Sequence, residues 1–294
     1  MSYILSCCST VDLSKEHLEK LNVPYICFHY TLDGVEYADD LGQTISFDDF
    51  YNRLKNGSDS KTSMVSVGEY EEYFKSLLDK GEDVIHISLS SGVSGSYRSA
   101  VTAAEMLKDQ YPNQKLYVID SLAASSGYGL LMDTAAKKRD EGLTIDELRD
   151  WVEKNKLRLH HWFFSSDLTF YVKGGRVSKL SGMIGGVFEI CPLLNVSVDG
   201  KLIPRAKIRT KKRVITEIVK CMAEHAQNGT DYSSKVYMCN SDCIEDAKAV
   251  ASLVESQFKN IDGDVLINSI GTVIGSHTGP GTVALFFWGD ERVD

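Results

Sequence analysis

An apolar run, Val84-Ile-His-Ile87, breaks into Ser88-Leu-Ser-Ser-Gly-Val-Ser-Gly-Ser-Tyr97. A helical pattern then starts near Ser96 and runs to about Leu107. A buried strand feeding a helix through Ser and Gly is one βα unit, and that connection favours a parallel sheet. The turn also carries chemistry. Free backbone N–H groups, the positive end of a helix dipole and several hydroxyls converge on one point. No Lys or Arg lies inside the turn, which favours a single carboxylate or phosphate over a polyphosphate.

The pattern repeats along the first half of the chain. Tyr3 to Cys7 and Leu116 to Ile119 read as further strands. A helix carries Leu18 and Leu21, and a second starts at Ser46 with Phe50, Tyr51 and Leu54 on its apolar side. Ser66-Val-Gly-Glu69 and Thr144-Ile-Asp-Glu147 fit capping boxes, in which hydroxyl and carboxylate each take an orphan N–H. Tyr70, Phe74 and Leu77 follow the first box at helical spacing, and Leu148, Trp151 and Val152 follow the second. Leu130, Leu131 and Ala135 mark one more helix. After about residue 156 the order changes. Leu159 to Phe164 is a strand, and a short helix ends at Gly174-Gly175. Leu193 to Val198 and Leu202 to Ile208 form a hairpin about Asp199-Gly200. A helix from about Lys211 to Ala226 and strands at Val236 to Cys239, Val265 to Ile270 and Val283 to Trp288 complete the pattern. The expectation is an α/β chain of two domains. Residues 1–156 form a mostly parallel sheet with helices on both faces, and residues 157–294 form a mixed or antiparallel sheet with helices.

A net charge of −9 argues against nucleic-acid binding and against docking on anionic lipid. The basic stretch Arg205 to Arg213 departs from this balance and reads as a solvated junction or a docking patch. Seven scattered cysteines include no CxxC pair, which predicts reduced, buried thiols in a cytoplasmic protein. The residues predict no signal peptide, and no run of about 18 apolar residues predicts a membrane span. His160 and His161 are strand neighbours on opposite faces and the other histidines lack ligand spacing, so no metal is expected.

Four polar clusters lie beside predicted elements: Thr62-Ser63, Ser94-Gly95-Ser96, Asp120-Ser121 and Gly275-Ser-His-Thr-Gly-Pro-Gly281. In open parallel sheets ligands bind outside the carboxyl ends of strands. Alone, Thr62-Ser63 reads as the approach to the first capping box. Ser94 reads as an N-cap or a ligand donor, and Asp120-Ser121 as a cap for the next helix. His277 sits among Gly, Ser, Thr and Pro, which reads as a loop that brings one imidazole to a ligand or as a plain turn. Arg176 follows a Gly pair at a helix end, where it meets an anion or solvent. The run Gly182 to Gly186, with Met183, Ile184 and Val187, reads as close helix packing or as a pliable wall for an apolar ligand. There is no GxxxxGK[ST] and no strand-associated GxGxxG. Ser96 stands where a GxSxG elbow needs its second Gly.

These clusters in this order resemble the DegV family of bacterial fatty-acid-binding proteins. The resemblance rests on Thr62-Ser63 through Ser66, Leu89 to Gly95, Gly174-Gly-Arg176 and Ile274 to Gly281, and runs over essentially the whole chain. It implies a long-chain fatty acid bound between two α/β domains. It also implies a substrate-presenting subunit, not catalytic alone and without a cofactor. A separate ATP-dependent fatty acid kinase subunit then phosphorylates the carboxylate, giving acyl phosphate for phospholipid synthesis. Carried across, Thr62 and Ser94 hydrogen-bond the carboxylate. Ser63, Gly95, Ser121, His277 and Thr278 surround it, and Arg176 lies near the mouth facing the kinase. Two positions depart from the family pattern: Met64-Val65 replaces Gln-Pro, and Cys8-Ser9 replaces Asp-Ser.

The physics suits this reading. Tail burial contributes about 0.8 kcal/mol per CH₂, so roughly 14 methylenes give about 11 kcal/mol gross. Ordering and association costs remove much of it. The tail thus dominates affinity, and hydroxyls fix which end is presented. A second reading is a hydrolase, because Ser94, Asp120 and His277 occur in α/β-hydrolase order. A third is a lipid sensor without a kinase partner.

Overall fold

The computed structural model describes residues 2–177 and 190–293. The first half runs β1 (Tyr3–Cys8), α1 (Lys15–Lys20), β2 (Tyr25–Ile26), β3 (His29–Leu32), β4 (Val35–Ala38), α2 (Phe47–Lys55) and β5 (Ser60–Ser63). It continues through α3 (Val67–Leu78), β6 (Asp83–Ser88), α4 (Ser96–Leu107), β7 (Leu116–Asp120), α5 (Ser125–Asp140) and α6 (Ile145–Asn155). The second half runs β8 (Leu159–Ser165), α7 (Thr169–Gly174), β9 (Ile190–Val196), β10 (Leu202–Arg209), α8 (Lys211–His225) and β11 (Tyr237–Asn240). It ends with α9 (Ile244–Gln257), β12 (Leu266–Ser269), α10 (Thr272–Thr278) and β13 (Thr282–Trp288).

The expected α/β class is what the structure shows. A parallel sheet has the order β2-β1-β6-β7. A mixed sheet has the order β10-β9-β8-β13-β11-β12, parallel only between β11 and β12. Local signals explain the helix starts. Both capping boxes close, at Ser66 with Glu69 and at Thr144 with Glu147. Ser46 caps α2 by accepting from Asp49 N–H. Gly175 takes the left-handed conformation (φ 66°) that ends α7. Val84, Ile85 and Ile87 are fully buried, as a strand covered on both faces requires.

Several local expectations are corrected. Thr62 and Ser63 do not lead into a helix directly. They lie in β5, part of a third, antiparallel sheet of order β4-β3-β5, where Thr62 pairs with Tyr30 and Ser63 with His29. His277 is not in a loop: α10 carries it, and Gly279 ends that helix (φ 65°). The glycine at 275 serves packing, since a Cβ there would run into the Tyr51 hydroxyl. α9 joins β11 to β12 as a crossover and makes that pair parallel. The cap of α4 is Gly95 rather than Ser94, and the cap of α5 is Ala124 rather than Asp120 or Ser121. The run Gly182 to Gly186 lies outside the described residues.

Two packing features position the site. The tip of the β9–β10 hairpin seats on the Ser/Gly turn after β6. Ser90 Oγ donates to Gly200 O at 2.8 Å, and a Cβ on Gly92 would stand 2.5 Å from Asp199 O. Helix α5 packs on β8, β11 and β13, with Gly127 against His161 and Phe286.

Candidate functional site

A cavity of about 520 Å³ opens between the mixed sheet, the Ser/Gly turn, β5 and α10. Its wall is built by strand alternation. His161 and Phe163 of β8, and Thr282, Ala284 and Phe286 of β13, recur every second residue and so share one face. Thr282 pairs with Ser165, and Phe286 with His161, four residues farther along. That places the two ends of this wall about 13 Å apart. Phe28, Val93, Val196, Leu202, Ile270 and Ile274 complete much of the apolar lining.

At one end of this wall Tyr171 OH meets Thr282 Oγ1 at 3.0 Å, and His161 stands at the other. Thr62, Ser63, Ser94, Gly95, His277, Thr278 and Arg176 all line the cavity. His277 Nε2 lies 2.7 Å from Thr62 Oγ1. Its ring is wedged against Gly174, where a Cβ would stand 2.7 Å from Nδ1. That Nδ1 is buried and has no hydrogen-bond partner among the described residues. Burial, and then the Arg176 charge, push the imidazole down to about 4, so it is neutral at pH 7. Ser94 Oγ accepts from Ser96 N–H at 3.2 Å, which leaves its own proton available to a ligand. In the first turn of α4, Arg98 N–H donates to Gly95 O at 3.0 Å. Arg176 is exposed and donates to Gly174 O at 2.6 Å.

One expected residue is not brought in. Ser121 is fully buried, and its hydroxyl donates to Ala123 O and accepts from Ala123 N–H, so it shapes a turn behind the cavity. Asp120 likewise accepts from Ser91 N–H at 3.0 Å and Leu122 N–H at 3.1 Å, and His277 bonds Thr62 instead of a carboxylate. The Ser94, Asp120 and His277 triad is therefore not assembled. The arrangement offers hydroxyl donors to an anion and an apolar chamber to whatever follows it.

The two departures fall in different places. Met64 lines the cavity and is half exposed, with Sδ 2.9 Å from where a Cβ on Gly95 would stand. Cys8 lies behind the turn. Its Sγ is 3.3 Å from Tyr70 OH, which in turn lies 2.8 Å from Ser96 Oγ. The sequence reading missed a buried support. Asp39 accepts from Ser9 Oγ at 2.8 Å and from Thr272 Oγ1 at 2.7 Å, tying the start of α10 to the end of β1. Asp12 accepts from Ser125 Oγ, a cavity-lining residue. Burial pushes both carboxyls above the usual range. Both aspartates sit in connecting segments, where no periodicity or cap signal marks them.

A family model described as "Uncharacterised protein, DegV family" matches residues 8–290. A DegV domain-containing protein of Clostridium perfringens is 34% identical over 284 residues, covering 97% of this chain and 96% of its own. Among solved structures, a DegV lipid binding protein from Thermotoga maritima superposes with a TM-score of 0.83 at 28% identity, over 99% of this chain and 100% of its own. A stearic acid-binding protein from Eubacterium ventriosum gives 0.85 at 27% identity, over 97% of each chain.

Proposed function

Because the chain belongs to the DegV family, we propose that it binds one long-chain fatty acid between residues 1–156 and residues 157–294 and presents the carboxylate for phosphorylation. The observation that carries this reading is the make-up of the cavity: Thr62 and His277, bonded to each other, line it together with an elongated wall that includes Phe163, Ala284 and Phe286. An acid with a long hydrocarbon tail matches both parts. Charge-assisted hydrogen bonds are the strong ones in a partly dry site. Thr62 and Ser94 donate to the carboxylate, with Ser63, Gly95, His277 and Thr278 around it. The tail runs along Phe163, Ala284 and Phe286. The relatives from Thermotoga maritima and Eubacterium ventriosum, described as binding lipid and stearic acid, support the ligand class.

In this proposal the chain is not an enzyme alone and holds no resident cofactor. A carboxylate oxygen attacks the γ-phosphorus of ATP held by a separate kinase subunit, the bond to the β-phosphate oxygen breaks, and acyl phosphate and ADP leave. The acyl phosphate feeds phospholipid synthesis. Arg176, exposed at the mouth, offers its charge to the phosphoryl group or to the docked kinase. No helix among the described residues is long and apolar enough to cross a membrane, and the proposed setting is the cytoplasm.

The test is organic extraction of the purified protein with mass spectrometry, followed by incubation with labelled ATP and a cognate kinase subunit. A recovered long-chain acid and labelled acyl phosphate are expected. A recovered acid without acyl phosphate makes the chain a lipid sensor, and recovery of no long-chain acid overturns the ligand assignment.

A further inference from the structure

Strand alternation places His160 and His161 on opposite faces of the mixed sheet, and His161 lines the cavity. His160 therefore belongs to the other face, where the fold gathers metal-capable side chains around it. His225 is the last residue of α8, and Asp290 follows β13. The candidate ligand atoms of His160, His225 and Asp290 all lie within 4.8 Å of one another. Asp290 Oδ1 is 2.8 Å from His160 Nε2, and its Oδ2 is 3.3 Å from His225 Nδ1. One carboxylate fork thus spans both imidazoles, so the three donor groups converge on one region.

The surroundings hold the set in place. Phe287, His160, His225 and Trp162 form a continuous ladder of stacked rings. Centroid spacings are 5.2, 5.0 and 5.7 Å, with interplanar angles of 4°, 18° and 17°. Side-chain exposure rises from 5% at His160 through 32% at His225 to 58% at Asp290. The cluster is rooted in the core and open on one side, which gives an ion a way in.

We propose that His160, His225 and Asp290 bind one divalent transition-metal ion through two imidazole nitrogens and the carboxylate, with the remaining coordination open to water. Two histidines and a carboxylate with an open position suit zinc and non-haem iron. The ion would staple the segment after β13 to α8 and β8. It lies across the sheet from the cavity, so it is independent of the lipid reading.

The test uses the full-length protein, stripped with chelator and titrated with Zn²⁺ by calorimetry. One equivalent is expected to bind. Asp290→Asn and His225→Gln, both at accessible positions, are each expected to weaken binding at least tenfold while leaving the fatty acid in place. Zn²⁺ is expected to raise the Tm of the parent and not of Asp290→Asn. Cobalt(II) should give a visible spectrum without thiolate charge transfer, which separates this site from the cysteines. Equal Zn²⁺ binding by parent and both variants, or no binding at 100-fold excess, overturns the proposal.

Discussion

His277 Nε2 and Thr62 Oγ1 meet at 2.7 Å, although 215 positions separate them in the chain. The bond joins β5 of the three-stranded sheet to α10, and both residues line the cavity. Residues from both halves of the chain thus line the cavity.

The first prediction separates head from tail. A hydrogen bond to a charged group contributes about 1.5–3 kcal/mol, against roughly 11 kcal/mol gross from the tail. Ser94→Ala is therefore expected to lower fatty-acid affinity tenfold to a hundredfold and still copurify with lipid, while acyl phosphate formation collapses. A folded variant that emerges empty from extraction would show that the head, not the tail, secures the ligand.

Acid should loosen the site before it unfolds the rest. Burial holds His277 down to about 4, below the ordinary 6.5. With the folded value depressed, the unfolded chain takes up the proton first. Stability from the neutral ring is complete above about pH 6.5 and is lost as pH falls toward 4. Replacing His277 by Gln is expected to flatten the fall in unfolding free energy across that window. Urea titrations at pH 7, 5.5 and 4.5 measure it, and parallel curves for parent and variant contradict the assignment.

Asp39 should be structural support rather than a ligand group. It receives the Ser9 and Thr272 hydroxyls at 2.8 and 2.7 Å in a fully buried position. Asp39→Ala leaves two buried donors unmet and is expected to cost about 2–4 kcal/mol. Asp39→Asn keeps an acceptor and should cost less than half as much. Because burial raises this carboxyl, its contribution weakens as pH rises through the folded value, the opposite sign to His277. Chemical denaturation of parent and both variants across a pH series starting below the ordinary carboxyl value tests the pair, and equal losses for Asn and Ala would count against it.

Two glycines three positions apart should respond differently to the same added methyl. At Gly92 the new Cβ meets backbone, Asp199 O and Gly200 at 2.5 Å, so the hairpin tip has to move. Gly92→Ala is expected to destabilise by about 1–3 kcal/mol. At Gly95 it meets the Met64 thioether at 2.9 Å, the far end of a flexible chain. Gly95→Ala should melt within a few degrees of the parent but alter fatty-acid affinity, because Met64 shifts at the mouth. Thermal melts beside lipid-displacement assays decide it, and identical melting curves for the two variants would reject the distinction.

What the sequence determined by itself was local. The strand at Val84 to Ile87, both capping boxes, the Asp199-Gly200 turn and the Gly175 helix end follow from periodicity, caps and φ preferences within a few residues. The polar clusters were legible as candidates for the same reason, because hydroxyls and glycines crowd into short stretches. Tertiary structure alone decided their use. It turned Thr62 toward His277 and turned Ser121 onto the Ala123 backbone. It set Gly275 of the histidine helix against Tyr51, and it gathered His160, His225 and Asp290 from three separate segments. Such contacts depend on where distant segments cross, and a side chain's partner across a fold leaves no spacing in the sequence to read.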